Sequence, residues 1–367
     1  MNLKDKRLLS ILVSVVFGLV LLVIILFKYP FKEVISTFTN LTPLLVLIYL
    51  VVSGFIMLFL SLRWKIVLDA LGYKIPFYKL FGYRVVGYGV SYITPSAKIG
   101  GEPLRAALLK RQGLSFREGL SSVIVDKTLE LSYSVLFFIF GLLVLVVDYA
   151  LSGRTLFALI IFSVITLFLL WKFYSRILRG KSVFTHLFRF FGLHKLKFLS
   201  KYQDLIFKFE KPIINFYQTK RKEFFIASAV SIISLILSLV EYKLILLMLG
   251  IDVSVGVVFM VFSMIGIAFL IPLPMALGSL EAFQISLFSI TKIGPAVAGV
   301  GLAMITRSRD LFWVFIALML SLYLGSFKNI IQKAYRDKPV LGISIVRNGK
   351  RHRLDVKIHR TSSKNRK

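Results

Sequence analysis

The chain contains no cysteine. That excludes disulfides, thiolate metal sites and a cysteine nucleophile. Histidine is nearly as scarce. His186, His194, His352 and His359 are the only four, and none lies in an apolar run. A histidine-built metal site inside a membrane is therefore not expected, and no cofactor is expected either. No glycine-rich phosphate loop appears, so the sequence shows no nucleotide-binding motif. Acidic residues number 17 against 47 Lys and Arg, giving a formal net charge of +30. Polar residues are in short supply overall, since 57% of the chain is hydrophobic and the mean hydropathy is +0.82. A water-soluble chain is usually about 45–50% apolar. The sequence therefore reads as a multi-pass membrane protein.

The positive charge is gathered in loops and ends. Residues 1–7 carry three Lys or Arg, residues 63–117 ten, residues 172–222 thirteen and residues 328–367 thirteen. Cytoplasmic segments of membrane proteins are enriched in this way. The expected location is the cell membrane, with both basic termini in the cytoplasm. Nucleic-acid binding also uses positive charge, but the apolar spans make topology its cause here, and no nucleic-acid partner is expected.

Leu8–Phe27 is apolar throughout and follows Lys4, Lys6 and Arg7. At 1.5 Å per residue such a run reaches about 30 Å, the thickness of the hydrocarbon layer. It reads as a retained first span. Further spans are expected at Leu44–Leu62, Gly119–Val147, Thr155–Trp171, Phe224–Leu249, Val253–Ile271 and Leu311–Phe327. Leu80–Thr94 reads as a short or re-entrant helix, and Leu104–Gln112 as a basic amphipathic one. Leu280–Ile290 and Ala296–Ile305 read as short apolar helices. The fold class is all-α: a polytopic helical bundle of about eight spans with two broken segments. Residues 1–327 form the membrane domain, and 172–222 are a basic, amphipathic cytoplasmic stretch within it. Residues 328–367 are a basic tail. Within it Val340–Arg360 alternates apolar and polar residues around Asn348-Gly349, the signature of a β-hairpin, and Thr361–Lys367 is expected to be disordered.

Between spans lies Tyr92–Arg111, YITPSAKIGGEPLRAALLKR. Lipid leaves broken backbone unpaired, so such a run is tolerated only where protein or a watery cavity covers it. A related pattern follows in the second half of the chain. Pro95, Ala97 and Glu102 recur at the same spacing as Pro274, Ala276 and Glu281, with Gly100 answered by Gly278 one place early. Paired breaks in two halves mark the binding site of transporters built from inverted repeats. In the first break, Gly100 and Gly101 allow close backbone approach and Pro103 suits a helix start. Lys98, Glu102 and Arg105 would then stand at a helix N-terminus suited to an anion such as a lipid phosphate. The structural alternative is a cap and ion pair between Glu102 and Arg105. In the second break, Pro274 and Gly278 free the chain and Glu281 enters the first turn of the next helix. The alternative there is a kinked span with a capped restart. Asp126 and Glu130 share a helix face one turn apart with Lys127 beside them, and could bind a cation, pair with Arg84 or relay protons. Glu241 also sits inside a span and needs a partner. Arg307, Arg309 and Asp310 are candidates for that role, or else simply form a loop.

These strings carry a resemblance. ITPSAKIGGEPLRAALLKR resembles the signature of the lysylphosphatidylglycerol synthase transmembrane-region family, also called the flippase-like domain family. IPLPMALGSLEA is similar to its second signature, Pro-x-Pro-x-Gly-x-Gly-x-x-Glu, with Ala276 where the family usually has Gly. The Lys127-to-Glu130 helix and the Glu241 helix ending in Leu249-Gly250 look like further family landmarks. The resemblance covers roughly residues 5–330. Bifunctional members carry a soluble aminoacyl-transferase domain after the membrane part. The stretch after Phe327 is far too short for one, so the resemblance implies the lipid-handling half alone.

The leading expectation is binding or translocation of an anionic or lipid-linked head group, with membrane lipids as partners. Lys98, Gly100, Gly101, Glu102, Arg105, Pro274, Gly278 and Glu281 would line the site. Arg84, Asp126, Glu130 and Glu241 would form an intramembrane charge network. Two alternatives stay open: a membrane-embedded transferase acting on a lipid carrier, and a scaffold for a separate soluble cytoplasmic enzyme.

Overall fold

The structure is a computed structural model that describes residues 41–94, 99–148, 153–190, 192, 203–271 and 273–323. The expected first span, the tail hairpin and terminus, and Lys98 lie outside these residues. Among the described residues there are eleven α-helices and no strand. They are α1 (Pro43–Ala70), α2 (Phe77–Ile93), α3 (Glu102–Leu109), α4 (Phe116–Asp148), α5 (Gly153–Leu178), α6 (Phe184–Phe190), α7 (Gln203–Thr219), α8 (Arg221–Met248), α9 (Val255–Leu270), α10 (Ser279–Thr291) and α11 (Ala296–Tyr323). Four of them, α1, α4, α5 and α8, are long and apolar enough to cross a membrane. The eight expected spans are thus only partly represented.

α2 and α3 form a re-entrant hairpin. Gly101 N–H donates to Ser91 Oγ near the tip (2.8 Å), and Gln112 Nε2 donates to the Tyr83 hydroxyl near the base (2.8 Å). Lys79 Nζ also donates to Gln112 (3.1 Å). The chain therefore returns to the end it entered from. α9 and α10 repeat the device. Ser279 Oγ donates to the Ala268 carbonyl at the tip (3.1 Å), while Gly294 packs against Ile251 at the base. A short 3₁₀ turn, Pro274–Ala276, makes the second tip and rests on α2.

The two halves match element by element. α1 and α8 are each 28 residues long, and each is followed by a glycine of positive φ, Gly72 and Gly250. A left-handed residue of this kind closes a helix by turning the following N–H groups back on its last carbonyls. α1 packs on α8, α2 on α11 and α4 on α9, which is the reciprocal pattern a two-fold axis produces. α1 and α8 run antiparallel, because Arg63 donates to Ser231 (3.4 Å) while Ser53 neighbours Glu241. Ser53 and Arg63 stand in the first half where Ser231 and Glu241 stand in the second, at the same spacing, so the two contacts are copies of one another. An axis that reverses its helices in this way makes the halves inverted repeats.

One detail differs from the sequence-based expectation. The region 296–323 is one continuous helix, not two, because its central Arg307, Arg309 and Asp310 are paired within the protein and never interrupt it. Glu210 also orders part of the 172–222 stretch by accepting from Phe184 N–H, Thr185 N–H and Thr185 Oγ1 at 2.8–3.2 Å. That carboxylate satisfies the N-terminal amides of α6. α7 then buries Ile213, Phe216 and Tyr217 against α4 and α5.

Candidate functional site

The first cluster forms where α1, α2, α3 and α4 meet. Asp126 is fully buried and accepts from Arg63 Nε (2.7 Å), Arg105 Nη2 (2.8 Å) and Arg84 Nη1. Glu130 accepts from Arg63 (2.8 Å), Arg84 (3.0 Å) and Lys127 (2.6 Å). Glu102 accepts from Arg105 Nη1 (2.8 Å) and lies 3.5 Å from Lys127 Nζ. The Arg105 guanidinium also stacks on Trp64, 4.1 Å from the ring centroid. Among the described residues four cations thus face three carboxylates, an excess of one positive charge. Isolated charge is costly inside a bilayer, so such groups survive there by pairing. Three members keep an opening. The side chains of Glu102, Lys127 and Glu130 are 12%, 17% and 26% exposed, against 0% for Asp126.

The second cluster joins α8, α10 and α11 beside the second tip. Arg307 grips Glu281 with Nε and Nη2 (2.8 Å for the latter), and donates to the carbonyls of Met275 (2.7 Å) and Ala276 (3.0 Å). Glu281 also accepts from Gly278 N–H (3.0 Å), the N-cap of α10. Arg309 bridges Glu241 and Asp310, and Tyr88 on α2 donates to Asp310. Here, among the described residues, two cations face three carboxylates, an excess of one negative charge.

The clusters answer to the same two-fold relation. Glu102 and Glu281 each open the helix after a break, and each reaches a cation on the long helix that follows, Lys127 or Arg307. Glu130 follows Lys127 at the spacing at which Asp310 follows Arg307. The sequence profile described as the lysylphosphatidylglycerol synthase TM region matches residues 8–319, which include both breaks and both clusters. The chain belongs to this family.

Two members from methanogens are similar to it. A UPF0104 membrane protein of Methanothermobacter thermautotrophicus is 25% identical over 319 residues, covering 83% of this chain and 92% of that protein. A UPF0104 membrane protein of Methanocaldococcus jannaschii is 26% identical over 285 residues, covering 72% and 80%. Like them, this member of the lysylphosphatidylglycerol synthase TM region family is an integral membrane protein.

Within that frame the sequence candidates fall into two groups. Gly100, Gly101, Glu102, Arg105, Arg84, Asp126 and Glu130 come together at the first cluster, and Pro274, Gly278, Glu281 and Glu241 at or beside the second. The N-terminus of α3 is largely spent on the protein itself. Gly101 N–H goes to Ser91 and Glu102 N–H to the Ile99 carbonyl (3.1 Å). Pro103 has no N–H to offer. Arg309 is the partner that Glu241 calls for, and it sits in a continuous helix rather than a loop. Arg63 is not among the sequence candidates, since it closes an apolar run beside Trp64 and reads as an interface residue. It is buried at 1% exposure. The signal that marks it is its place in the first half, which matches that of Glu241 in the second. Ala276, the departure from the family's second signature, adopts φ +48°, and Met275 before it +55°. Glycine takes this region without the steric cost that an L side chain meets.

Proposed function

We propose that the protein binds an anionic or lipid-linked head group at the first break and moves it across the membrane. The observation that carries this reading is a buried cluster with one uncompensated positive charge, open at Glu102 and Lys127. Glu102 is held at 2.8 Å by Arg105 and at 3.5 Å by Lys127, the longer and weaker pairing. Its carboxylate occupies the place an incoming phosphate would take. A head-group phosphate exchanging with Glu102 would gain Lys127 as a point charge and one edge of Arg105 as a directed donor. Asp126 keeps the other edge of Arg105 oriented throughout. Glu281 and Arg307 repeat the arrangement at the second tip, so an inverted pair of gates fits alternating access. In this reading the protein lies in the cell membrane, with the basic stretch 172–222 and the tail toward the cytoplasm.

The test is movement of a headgroup-labelled phosphatidylglycerol between leaflets of liposomes containing the purified protein. The wild type should exceed empty liposomes. Lys127→Gln should lower the rate roughly tenfold or more, equivalent to about 1.4 kcal/mol, while the melting temperature stays close to wild type. A wild type that moves neither this lipid nor a lipid-linked sugar phosphate faster than empty liposomes overturns the reading.

A further inference from the structure

The second cluster contains a group that the head-group site does not use. Glu241 is 1% exposed and Asp310 fully buried, and among the described residues Arg309 alone balances the two. Each carboxylate has one occupied oxygen and one bare one. Arg309 donates to Glu241 Oε2, while Arg309 and Tyr88 donate to Asp310 Oδ1. Glu241 Oε1 and Asp310 Oδ2 are buried without a hydrogen-bond partner among the described residues. Ser53 stands beside Glu241, accepts from Trp313 Nε1 (2.8 Å) and has its own hydroxyl hydrogen to offer that carboxylate, but it brings no charge. The hydroxyl of Tyr49, on α1, is also buried without a partner among these residues. Its electrostatic neighbours are Arg309, Glu241, Tyr242 and Asp310, so it belongs to the same pocket. Around Arg309, then, two carboxylates and the Tyr49 hydroxyl lie buried, with one surplus negative charge among the described residues.

A buried carboxylate without a matching cation is far less stable than its neutral acid. An arginine does not give up its proton, so the missing positive charge has to come from elsewhere. We propose that Glu241 and Asp310 share one exchangeable proton across Arg309 at neutral pH, forming a proton site in the second half of the protein. A hydronium ion from the bulk gives up that proton: one of its O–H bonds breaks, leaving water, as one O–H bond forms at a carboxylate oxygen and discharges it; nothing is oxidised or reduced. The two carboxylates titrate as a pair, so the proton belongs to the unit and not to one residue. Among the described residues, the charged or titratable groups facing the pair are Arg309 on α11, Tyr242 on α8, Tyr49 on α1, and Tyr88 and Tyr92 on α2. Arg309 is the one cation in that set. It is 13% exposed, which leaves the pair an edge for exchange. Coupling of this proton to an anion held at the first cluster rests on the proposed function. The existence of the proton does not.

Infrared spectroscopy of the purified protein in detergent reads the site directly. The wild type at neutral pH should show the carbonyl band of a protonated carboxylic acid, which shifts in heavy water and disappears on alkaline titration. Glu241→Gln and Asp310→Asn should each abolish it, because Arg309 then balances the single carboxylate that remains. Tyr49→Phe should keep the band and change its frequency. If one amide variant does not fold, the other and Tyr49→Phe decide the matter. A wild type without the band means both carboxylates are ionised, and overturns the proposal. So does a band that survives in either amide variant, or one that responds to sodium at fixed pH instead of to pH. Failure of lipid movement in liposomes leaves this spectrum untouched, so the two readings fail separately.

Discussion

Arg105 makes four different contacts with one side chain. Nη1 holds Glu102, Nη2 holds Asp126, the plane lies on Trp64, and the methylenes fill the space beside Gly87. A lysine could replace one ion pair but neither the fork nor the stacking. Arg105→Lys should therefore destabilise the protein by about 1.5–3 kcal/mol, the worth of a hydrogen bond to a charged partner. Denaturant or thermal unfolding in detergent measures it, and unchanged stability would show that Arg105 supplies only charge. Asp126 gives the reason such changes are felt. It accepts from three arginines on three helices. A buried pair that loses one partner costs about 3–5 kcal/mol. Part of this is legible in the sequence. The i,i+4 spacing of Asp126 and Glu130 calls for cations, and Arg84 stands within reach as a candidate. Arg63 escapes because an arginine next to a tryptophan at the end of an apolar run is what the membrane interface also selects. Sequence adjacency carries no sign of which neighbour a side chain turns toward.

At the scale of elements, the first hairpin depends on how near its two arms can come. A Cβ added at Gly101 would stand 1.9 Å from the Gly87 carbonyl oxygen, and one added at Gly87 would stand 2.5 Å from Cγ of Arg105. The first clash is with backbone, which cannot rotate away, and the second is with a flexible side chain. Gly101→Ala should then open the hairpin tip and cost at least about 1–3 kcal/mol of overpacking, while Gly87→Ala costs less. Comparing the two melting temperatures checks the order, and equal values would mean that the arms stand further apart. The glycines themselves are legible as a break, as are the ends of α2, α8 and α9 to within a few residues. The continuity of α11 is not. Arg307, Arg309 and Asp310 crowd into one turn, a density that reads as a loop as readily as a set of partners until α8 and α10 are seen beside it. Those helices are distant in sequence, so no local pattern announces them.

For the whole molecule, the inverted repeat distributes charge in two ways. Counted over the described residues, the first cluster carries one surplus positive charge and the second one surplus negative, so the two together are neutral. The surface is asymmetric instead. Among the described residues, Lys74, Lys79, Arg117, Lys181 and Lys222 sit at the end where α1 finishes and α8 begins, while the opposite end holds little beyond Arg154, Lys243, Asp252 and Lys292. Positive residues favour the cytoplasmic side. The turn after α1 should then face the cytoplasm and the turn after α8 the outside, because those two helices are antiparallel copies. The absence of native cysteine makes the test clean. Lys74→Cys and Asp252→Cys place single thiols at exposed positions in the two equivalent turns. An impermeant maleimide added to intact cells should label Asp252→Cys and reach Lys74→Cys only after the membrane is opened. Labelling of both from the same side would mean that the halves are parallel. The two tips would then enter from one face, and paired gates working in alternation would lose their geometric basis.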